Sequence, residues 1–282
     1  MKVAGVVVLY NPEHEKVKKN INSYLSNLDM LLIVDNSKNF NKDISSFYAN
    51  NKKVHYKFLG GNMGIAHALN LGIHFAKEFN QQWLLTMDQD SKFYPGDFME
   101  FLTIVKNKMF EFPDAAIFTP RHGVPYIEKG LGIVKVPYAM TSGNLIRVNL
   151  LNDIGTFDND LFIDSVDHEF CFRLGKLGFG VYRVNDIELE HNLGEIETKR
   201  FLGRNLHVTH HNYVRRYYIT RNSLYVSKKY ANSKVGFIKT SIIQLLWASI
   251  TILLYENDKR LKFKSIIMGL FDFRRLKMGK KF

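Results

Sequence analysis

Asp88 and Asp90 stand one residue apart at the end of an apolar run, in the stretch LLTMDQDSKF from Leu84 to Phe93. An Asp-x-Asp turn after a buried strand can coordinate a hard divalent cation, Mg2+ or Mn2+, through carboxylate oxygens. Two carboxylates leave most of an octahedral shell open for phosphate oxygens. Asp and Ser are also ordinary loop residues, so the surroundings must decide between a metal turn and a plain loop. A second acidic group, Asp164, Asp167 and Glu169, lies in FIDSVDHEFCFRL. Such acids crowd the first turn of a helix, where the dipole favours them. In RRYYITRNS, from Arg215 to Ser223, the arginines by themselves read as a solvated helix face.

The elements that must position these groups follow from periodicity. Val3–Leu9 is a β-branched run that reads as a strand buried on both faces. Glu15–Leu28 carries apolar residues at helical spacing. Met30–Val34, Val54–Leu59 and Trp83–Met87 read as further strands, and Ile65–Phe79 as a helix. The first hundred residues thus alternate strands and helices, the pattern of a parallel sheet flanked by helices. Each strand ends in a polar or glycine turn: Tyr10-Asn11, Asp35-Asn36, Gly60-Gly61-Asn62 and Asp88-Gln89-Asp90. In open α/β sheets, ligands bind at the carboxyl ends of strands. Farther on, a helix is expected over Ser165–Leu177, stopped by Gly178. Short strands are expected at Gly180–Val184 and Ile187–His191.

The composition narrows the classes. The chain has 282 residues, 46% of them hydrophobic, which suits one large domain or a domain with an appendage. The single cysteine, Cys171, rules out an intramolecular disulfide and a cysteine-rich zinc site, and reads as a core residue. The apolar run after Met1 is too short for a signal peptide, so a cytoplasmic chain starting near Met1 is expected. The net charge is +12. From Asp258 to Phe282, nine Lys/Arg against two Asp give an excess of seven. Val235–Tyr255 reads as a long apolar helix whose most apolar part, Ile242–Tyr255, is shorter than the ~20 residues a membrane span needs. The basic segment after it places large apolar residues between its charges. Together they read as an in-plane, monotopic membrane attachment. A core helix followed by a solvated basic tail is the alternative. Nucleic acid is not an expected partner, since no recognisable nucleic-acid motif is present. A P-loop is absent, and Gly60–Gly64 lacks the dinucleotide spacing.

Taken together, VVVLYNP, VDNS, GGNMGIAHALNLGI, TMDQDS, FIDSVDHEFCFRL, HNLGE and RRYYITRNS resemble, in order and spacing, the family 2 glycosyltransferases. These are inverting enzymes of the GT-A fold. The likeness covers nearly the whole chain, and MGLFDFRRLKMGK is similar to the way bacterial rhamnosyltransferases end. The fold it implies is a Rossmann-like α/β mixed sheet flanked by helices, with a helical, amphipathic C-terminal extension. Residues 1–232 would form the catalytic domain, with 1–100 as its nucleotide half and 101–232 as its acceptor half. Residues 233–282 would form a basic, membrane-associating region.

The resemblance also implies roles. Tyr10, Asn11, Asp35 and Asn36 would lie at the nucleobase, where tyrosine can stack and a carboxylate can accept an imide N–H. Asn62, Gly64 and Asn70 would flank the nucleotide, with Gly64 allowing close backbone approach. Asp90 would be the direct ligand of Mg2+ or Mn2+, Asp88 would reach ribose and water, and His191 would complete the metal site. Asp167 would be the catalytic base; Val166 stands where many relatives have Glu, which keeps Asp164 in reserve. Arg216 and Arg221 would hold the diphosphate, with Arg215 as the alternative to Arg216. The implied donor is a nucleotide sugar, dTDP-rhamnose first, or UDP-linked galactose, galactofuranose or N-acetylhexosamine. The acceptor would be a glycan or lipid-linked glycan of bacterial surface polysaccharide (O-antigen or capsule), at the inner face of the cell membrane. A non-catalytic nucleotide-sugar or membrane-binding protein on the same scaffold is the reading from another class.

Overall fold

A computed structural model of the chain describes residues 1–123, 130–191, 197–201, 204–230 and 237–282. It falls into two compact units: Met1–Asp158 with Asp167–Asn192, and Asn159–Val166 with Leu193–Phe282.

The first unit runs β1 (Val3–Leu9), α1 (His14–Asn22), β2 (Met30–Asp35), α2 (Lys42–Tyr48), β3 (Val54–Phe58), α3 (Ile65–Glu78) and β4 (Trp83–Asp88). It continues with β5 (Ser91–Phe93), α4 (Asp97–Lys108), β6 (Ala115–His122), β7 (Ile133–Val136), β8 (Asn144–Arg147), α5 (Leu151–Ile154), α6 (Val166–Lys176) and β9 (Gly180–His191). The sheet order is β3-β2-β1-β4-β8-β6-β9-β5, with β7 also on β9.

The expected parallel part is present: β3, β2, β1 and β4 all run one way. Every residue of β1 is buried, which is why its sequence shows no polar alternation. Register puts Leu9 beside Asp35, Asp35 beside Phe58 and Val8 beside Asp88. One edge of the sheet therefore collects Tyr10, Asn36, Leu59 and Gln89. Helix α3 lies close on β1 because Gly72 has no side chain; a Cβ there would stand 2.6 Å from that of Val6.

The second half of the sheet is mixed. β8 runs antiparallel to β4 and β6, β6 and β9 are parallel, and β5 and β7 are antiparallel to β9. The two short strands expected at Gly180–Val184 and Ile187–His191 are one strand, β9. Its register on β6 slips between Pro120 and Arg121, where Val184 and Glu188 are the successive partners, so the polar Asn185-Asp186 pair bulges without ending the strand. The helix expected over Glu15–Leu28 stops at Asn22, where the Ser23 hydroxyl bonds back to the Asn20 carbonyl, and a 3-10 turn, Leu25–Asn27, follows. Cys171 is buried, as expected of a core thiol, and burial pushes its pKa up to about 12.

The second unit contains the hairpin β10 (Glu197–Phe201) and β11 (Arg204–Val208), and helices α7 (Tyr213–Lys229), α8 (Phe237–Tyr255) and α9 (Lys259–Arg274). The boundary expected between 232 and 233 falls inside it, because α7 packs on α9. A Cβ at Gly269 of α9 would lie 2.9 Å from the Tyr217 carbonyl oxygen, and the Tyr217 hydroxyl donates to Asp272 at 2.7 Å. Glu256, fully buried, accepts from Arg216 at 2.7 Å and from Lys262 at 2.8 Å, joining α7 to the corner between α8 and α9. The expected start of α8 at Val235 lies outside the described residues. Among the described residues, no helix is long and apolar enough to cross a membrane.

Candidate active site

β4 ends on Asp88, one turn carries Asp90, and β5 begins at Ser91. β5 pairs with β9 so that Ser91 faces His191. This brings together two residues of the Asp-x-Asp turn and a histidine a hundred positions away. Ligand atoms of Asp88, Asp90 and His191 all lie within 4.8 Å of one another. The Ser91 hydroxyl and His191 Nδ1 are 2.6 Å apart, and Asp90 Oδ1 lies 3.6 Å from the same nitrogen. Two carboxylates and an imidazole form an oxygen and nitrogen set that fits Mg2+ or Mn2+. All three residues are partly exposed, so further oxygen ligands can reach them.

Two residues behind this trio escaped the motif reading. The Ser142 hydroxyl accepts the Asp88 backbone N–H at 3.1 Å. The Ser142 carbonyl pairs with His122 Nε2 at 2.9 Å, and the His122 ring stands edge-on to that of His191 at 5.8 Å. Burial, then repulsion from His191, lowers the His122 pKa to about 4, against an opposing pull from Asp167. Burial also lowers that of His191, with Asp90 opposing. His122 thus stays neutral at pH 7.

Around the nucleotide-side turns the outcome is divided. Tyr10 is 49% exposed, and its backbone N–H and C=O are held by the Gln89 side chain at 2.8 and 3.1 Å. Its ring is therefore available for stacking on a turn tied to the Asp-x-Asp loop. Asn11, exposed with φ +46, donates its N–H to Ser37. Asn36 joins two of the motifs: its Oδ1 accepts from the Met63 N–H and its Nδ2 donates to Asn62 Oδ1 and the Gly64 carbonyl. Gly64 begins α3 with φ +91, a conformation L side chains avoid.

Two of the expected residues at this end are buried and hydrogen-bonded within the protein. Asp35 is 0% exposed and its carboxylate is taken up within the protein: Tyr56 at 2.5 Å, the Asn41 side chain at 2.8 Å, and the N–H groups of Ser37 and Asn41 at 3.1 Å. Burial opposes its ionisation, yet these hydrogen bonds prevail and hold its pKa below the usual value. These bonds make Asp35 a shaper of the 36–41 turn. Asn70 is also buried and joins α3 to Phe157 by a reciprocal pair, Nδ2 to the carbonyl at 2.9 Å and Oδ1 from the N–H at 2.8 Å. Its amide is a packing clasp.

The acid cluster resolves by environment. Glu169 is fully buried and paired with Arg173, which also donates to the carbonyls of Ile154 and Thr156. Asp164 accepts from Arg215 at 3.2 Å. Asp167, with 22% of its side chain exposed, bonds the N–H and Nδ1 of His168 at 2.8 and 2.9 Å. Burial works against its charge, but the His168 contacts outweigh it and lower its pKa. The His168 ring stacks on half-exposed Tyr138 at 4.7 Å.

Two of the three arginines are likewise engaged within the protein. Arg216 is buried against Glu256 and the Thr209 hydroxyl. Arg221 is 1% exposed, and its guanidinium donates to backbone carbonyls, to the Tyr217 hydroxyl and to Asn222. Neither side chain presents a free fork to a diphosphate. Arg215, about half-exposed, is the accessible member of the group.

Tyr56 and Asn41 lie outside the quoted motifs, and Gln89, although inside TMDQDS, gains its part from Tyr10, 79 positions away along the chain. The opposite placement of Ser91 and His191 required the antiparallel β5–β9 register, which periodicity did not reveal.

The family model of glycosyl transferase family 2 matches residues 6–157, more than half of the chain. The chain is 27% identical over 300 aligned residues to the dTDP-rhamnosyl transferase RfbF of Shigella flexneri, covering 99% of this chain and 98% of that one. It is 22% identical to the low-salt glycan biosynthesis hexosyltransferase Agl10 of Haloferax volcanii, over 66% of each chain. Among solved structures it is similar to GalNAc-T7 crystallised with UDP, GalNAc and Mn2+ (TM-score 0.63, 12% identity, 98% of this chain and 56% of that one). It also matches residues 1–349 of S. aureus TarS in complex with UDP-GlcNAc (TM-score 0.58, 16% identity, 97% and 80%). With its mixed sheet and flanking helices, the chain belongs to glycosyl transferase family 2 and is a glycosyltransferase of the GT-A fold.

Proposed function

We propose that the chain transfers L-rhamnose from dTDP-rhamnose, with inversion and a divalent cation, to a glycan or lipid-linked acceptor in bacterial surface polysaccharide synthesis. The observation that carries the reaction is the convergence of Asp88, Asp90 and His191 at the end of β4 and the edge of β9. The donor rests on similarity along the whole chain to a dTDP-rhamnosyl transferase.

Asp167 has the exposure and lowered pKa of a base that is ionised at pH 7. It accepts the proton of the acceptor hydroxyl as that oxygen bonds to the anomeric carbon, while the bond from that carbon to the diphosphate oxygen breaks on the opposite face. Asp90, Asp88 and His191 would hold a divalent cation, which would supply electrostatic neutralisation of the leaving diphosphate. Tyr10 offers its exposed ring to the base. Asp35, Asn36, Asn62 and Gly64 fix the turns beneath the nucleotide, and Asn11 lies beside them. Among Arg215, Arg216 and Arg221, Arg215 is the exposed one.

The second unit supports attachment to an anionic membrane surface on the cytoplasmic side. Ile242, Ile243, Leu246, Leu253 and Leu254 of α8 are exposed, and their spacing keeps them within one stripe of the helix. On α9, Arg260, Lys264, Ile267, Phe271 and Arg274 are exposed at spacings of three or four, alternating charge with apolar surface on one face.

A donor panel tests the reading. With Mn2+ present, dTDP-rhamnose is expected to be consumed in preference to UDP-galactose, UDP-galactofuranose and UDP-N-acetylhexosamines. Turnover of a UDP-sugar instead would overturn the thymidine donor, and turnover of none would favour a non-catalytic binding protein.

A further inference from the structure

Asp167 stands in the first turn of α6, and its two carboxylate oxygens have different surroundings. Oδ1 accepts the His168 backbone N–H at 2.8 Å and pairs with His168 Nδ1 at 2.9 Å. That N–H is one of the first-turn donors that find no partner inside a helix. Among the described residues, no side chain other than that of His168 bonds Asp167. Oδ1 is thus filled from one neighbour, and Oδ2 is left to a ligand.

Charge decides where the hydrogen of the Nδ1 contact sits. Burial works against the Asp167 carboxylate, but the His168 contacts outweigh it and hold its pKa below the usual value. An ionised carboxylate can only accept, so the hydrogen is carried by Nδ1. The bond made by one ring nitrogen sets the tautomer of a histidine; here it selects the form protonated at Nδ1. The ring is held from two further sides. It stacks on Tyr138 at 4.7 Å, and Phe172, one turn along α6, lies at 6.0 Å. Tyr138 in turn heads a pinned segment. The next carbonyl, of Ala139, accepts from Cys171 Sγ at 3.8 Å. The Thr141 carbonyl accepts from the Thr86 hydroxyl, and the Gly143 N–H donates to the Thr86 carbonyl at 2.7 Å. The segment is therefore tied to α6 at one end and to β4 at the other, all within the first unit.

We propose that His168 is a positioning residue for the catalytic carboxylate: its Nδ1–H and backbone N–H occupy Asp167 Oδ1 and leave Oδ2 as the oxygen that takes the acceptor's proton. The inference rests on Asp167 being the base. The acceptor O–H proton passes to Oδ2, the electron pair of that bond goes to the new bond at the anomeric carbon, and the diphosphate leaves with the old one. Nδ1 keeps its own proton throughout. The stack with Tyr138 fixes the ring plane, so that the Nδ1–H stays aimed at Oδ1.

Two substitutions separate the hydrogen bond from the ring. His168→Phe keeps an aromatic ring beside Tyr138 and removes the donor. His168→Asn removes the ring and returns an amide N–H near the place of Nδ1. With dTDP-rhamnose as donor and water as acceptor, His168→Phe is expected to lower kcat by about 10²-fold, the scale of a misplaced catalytic group, with the Kd for thymidine diphosphate unchanged. His168→Asn is expected to recover most of that loss. Equal losses in the two variants, or an active Phe variant beside an inactive Asn variant, would overturn the positioning role. In an Asp167→Asn background, His168→Phe is expected to lower the residual rate by less than about 3-fold, because the residue acts through Asp167; a full, multiplicative loss there would also overturn it. Full activity of Asp167→Asn alone would instead remove the base itself, a distinguishable failure.

A second measurement needs neither a donor sugar nor a folded variant of low activity. Imidazole 15N chemical shifts of the full chain at pH 7, with the His168 signals assigned by their loss in His168→Phe, read the ring hydrogen directly. A protonated Nδ1 is expected. An unprotonated Nδ1 in the wild-type protein would sink the proposal.

Discussion

Ser91 and His191 face each other across β5 and β9, with the hydroxyl 2.6 Å from Nδ1. The serine holds a ring whose partner Asp90 lies 3.6 Å from the same nitrogen. Groups that orient a metal-binding imidazole typically contribute 10- to 100-fold in metal affinity. Ser91→Ala is therefore expected to weaken Mn2+ binding by about that factor, measured by titration calorimetry, with activity returning at saturating Mn2+. Treatment with EDTA should stop transfer, and added Mg2+ or Mn2+ should restore it. Unchanged turnover in chelator would remove the cation from the reaction.

Asp167→Asn should lower transfer by about 10²- to 10⁴-fold, the usual worth of a general base, while thymidine diphosphate still binds. Glu169→Gln should behave differently. It leaves Arg173 facing a neutral partner in a buried site, so its main effect is expected on the melting temperature. Loss of activity without loss of stability in Glu169→Gln would reverse the assignment of the two acids.

Gly72→Ala places a methyl group where Val6 already stands. Helix propensity favours alanine by about 1 kcal/mol, but overpacking against a rigid central strand costs about 1–3 kcal/mol. Net destabilisation is expected, larger for Gly72→Val, and is read as a lower midpoint in denaturant unfolding. A more stable Gly72→Ala protein would contradict the close packing of α3 on β1.

His211 has its pKa lowered to about 4, first by burial and then by repulsion from Arg215 and Arg216. The unfolded chain takes up this proton near pH 6.5, before the folded chain does. Stability from this group is therefore complete above about pH 6.5 and is lost as pH falls toward 4. His211→Gln should flatten that part of the curve of stability against pH. An unchanged slope between pH 6.5 and 4 would show that other groups set it.

Deleting everything after Tyr255 would remove Glu256 and leave Arg216 buried without its partner, so truncation is a poor test of membrane attachment. Reversing the exposed charges Arg260, Lys264 and Arg274 to Glu avoids the buried network. Each basic residue near an anionic surface contributes about 1 kcal/mol, so the triple variant should lose binding to phosphatidylglycerol vesicles by two or more orders of magnitude and keep its fold. Equal vesicle binding would contradict the attachment.

The sequence alone determined the strand and helix alternation of the first hundred residues, and with it the place of Asp88 and Asp90 at a strand end. Those signals are local: a β-branched run buried on both faces, a helical apolar stripe and a turn residue each act within a few positions. Order and spacing of short motifs also identified the family. What the tertiary structure decided is which polar groups remain accessible. Asp35, Asn70, Arg216 and Arg221 are polar in type and well placed along the chain, yet all four are buried and hydrogen-bonded within the protein. Conversely, Ser91 and His122 were given no role by any motif and gain theirs from His191, 100 and 69 positions away. Burial and hydrogen-bond saturation are properties of the packed chain, set by strand register and helix docking, and the linear order of residues does not contain them.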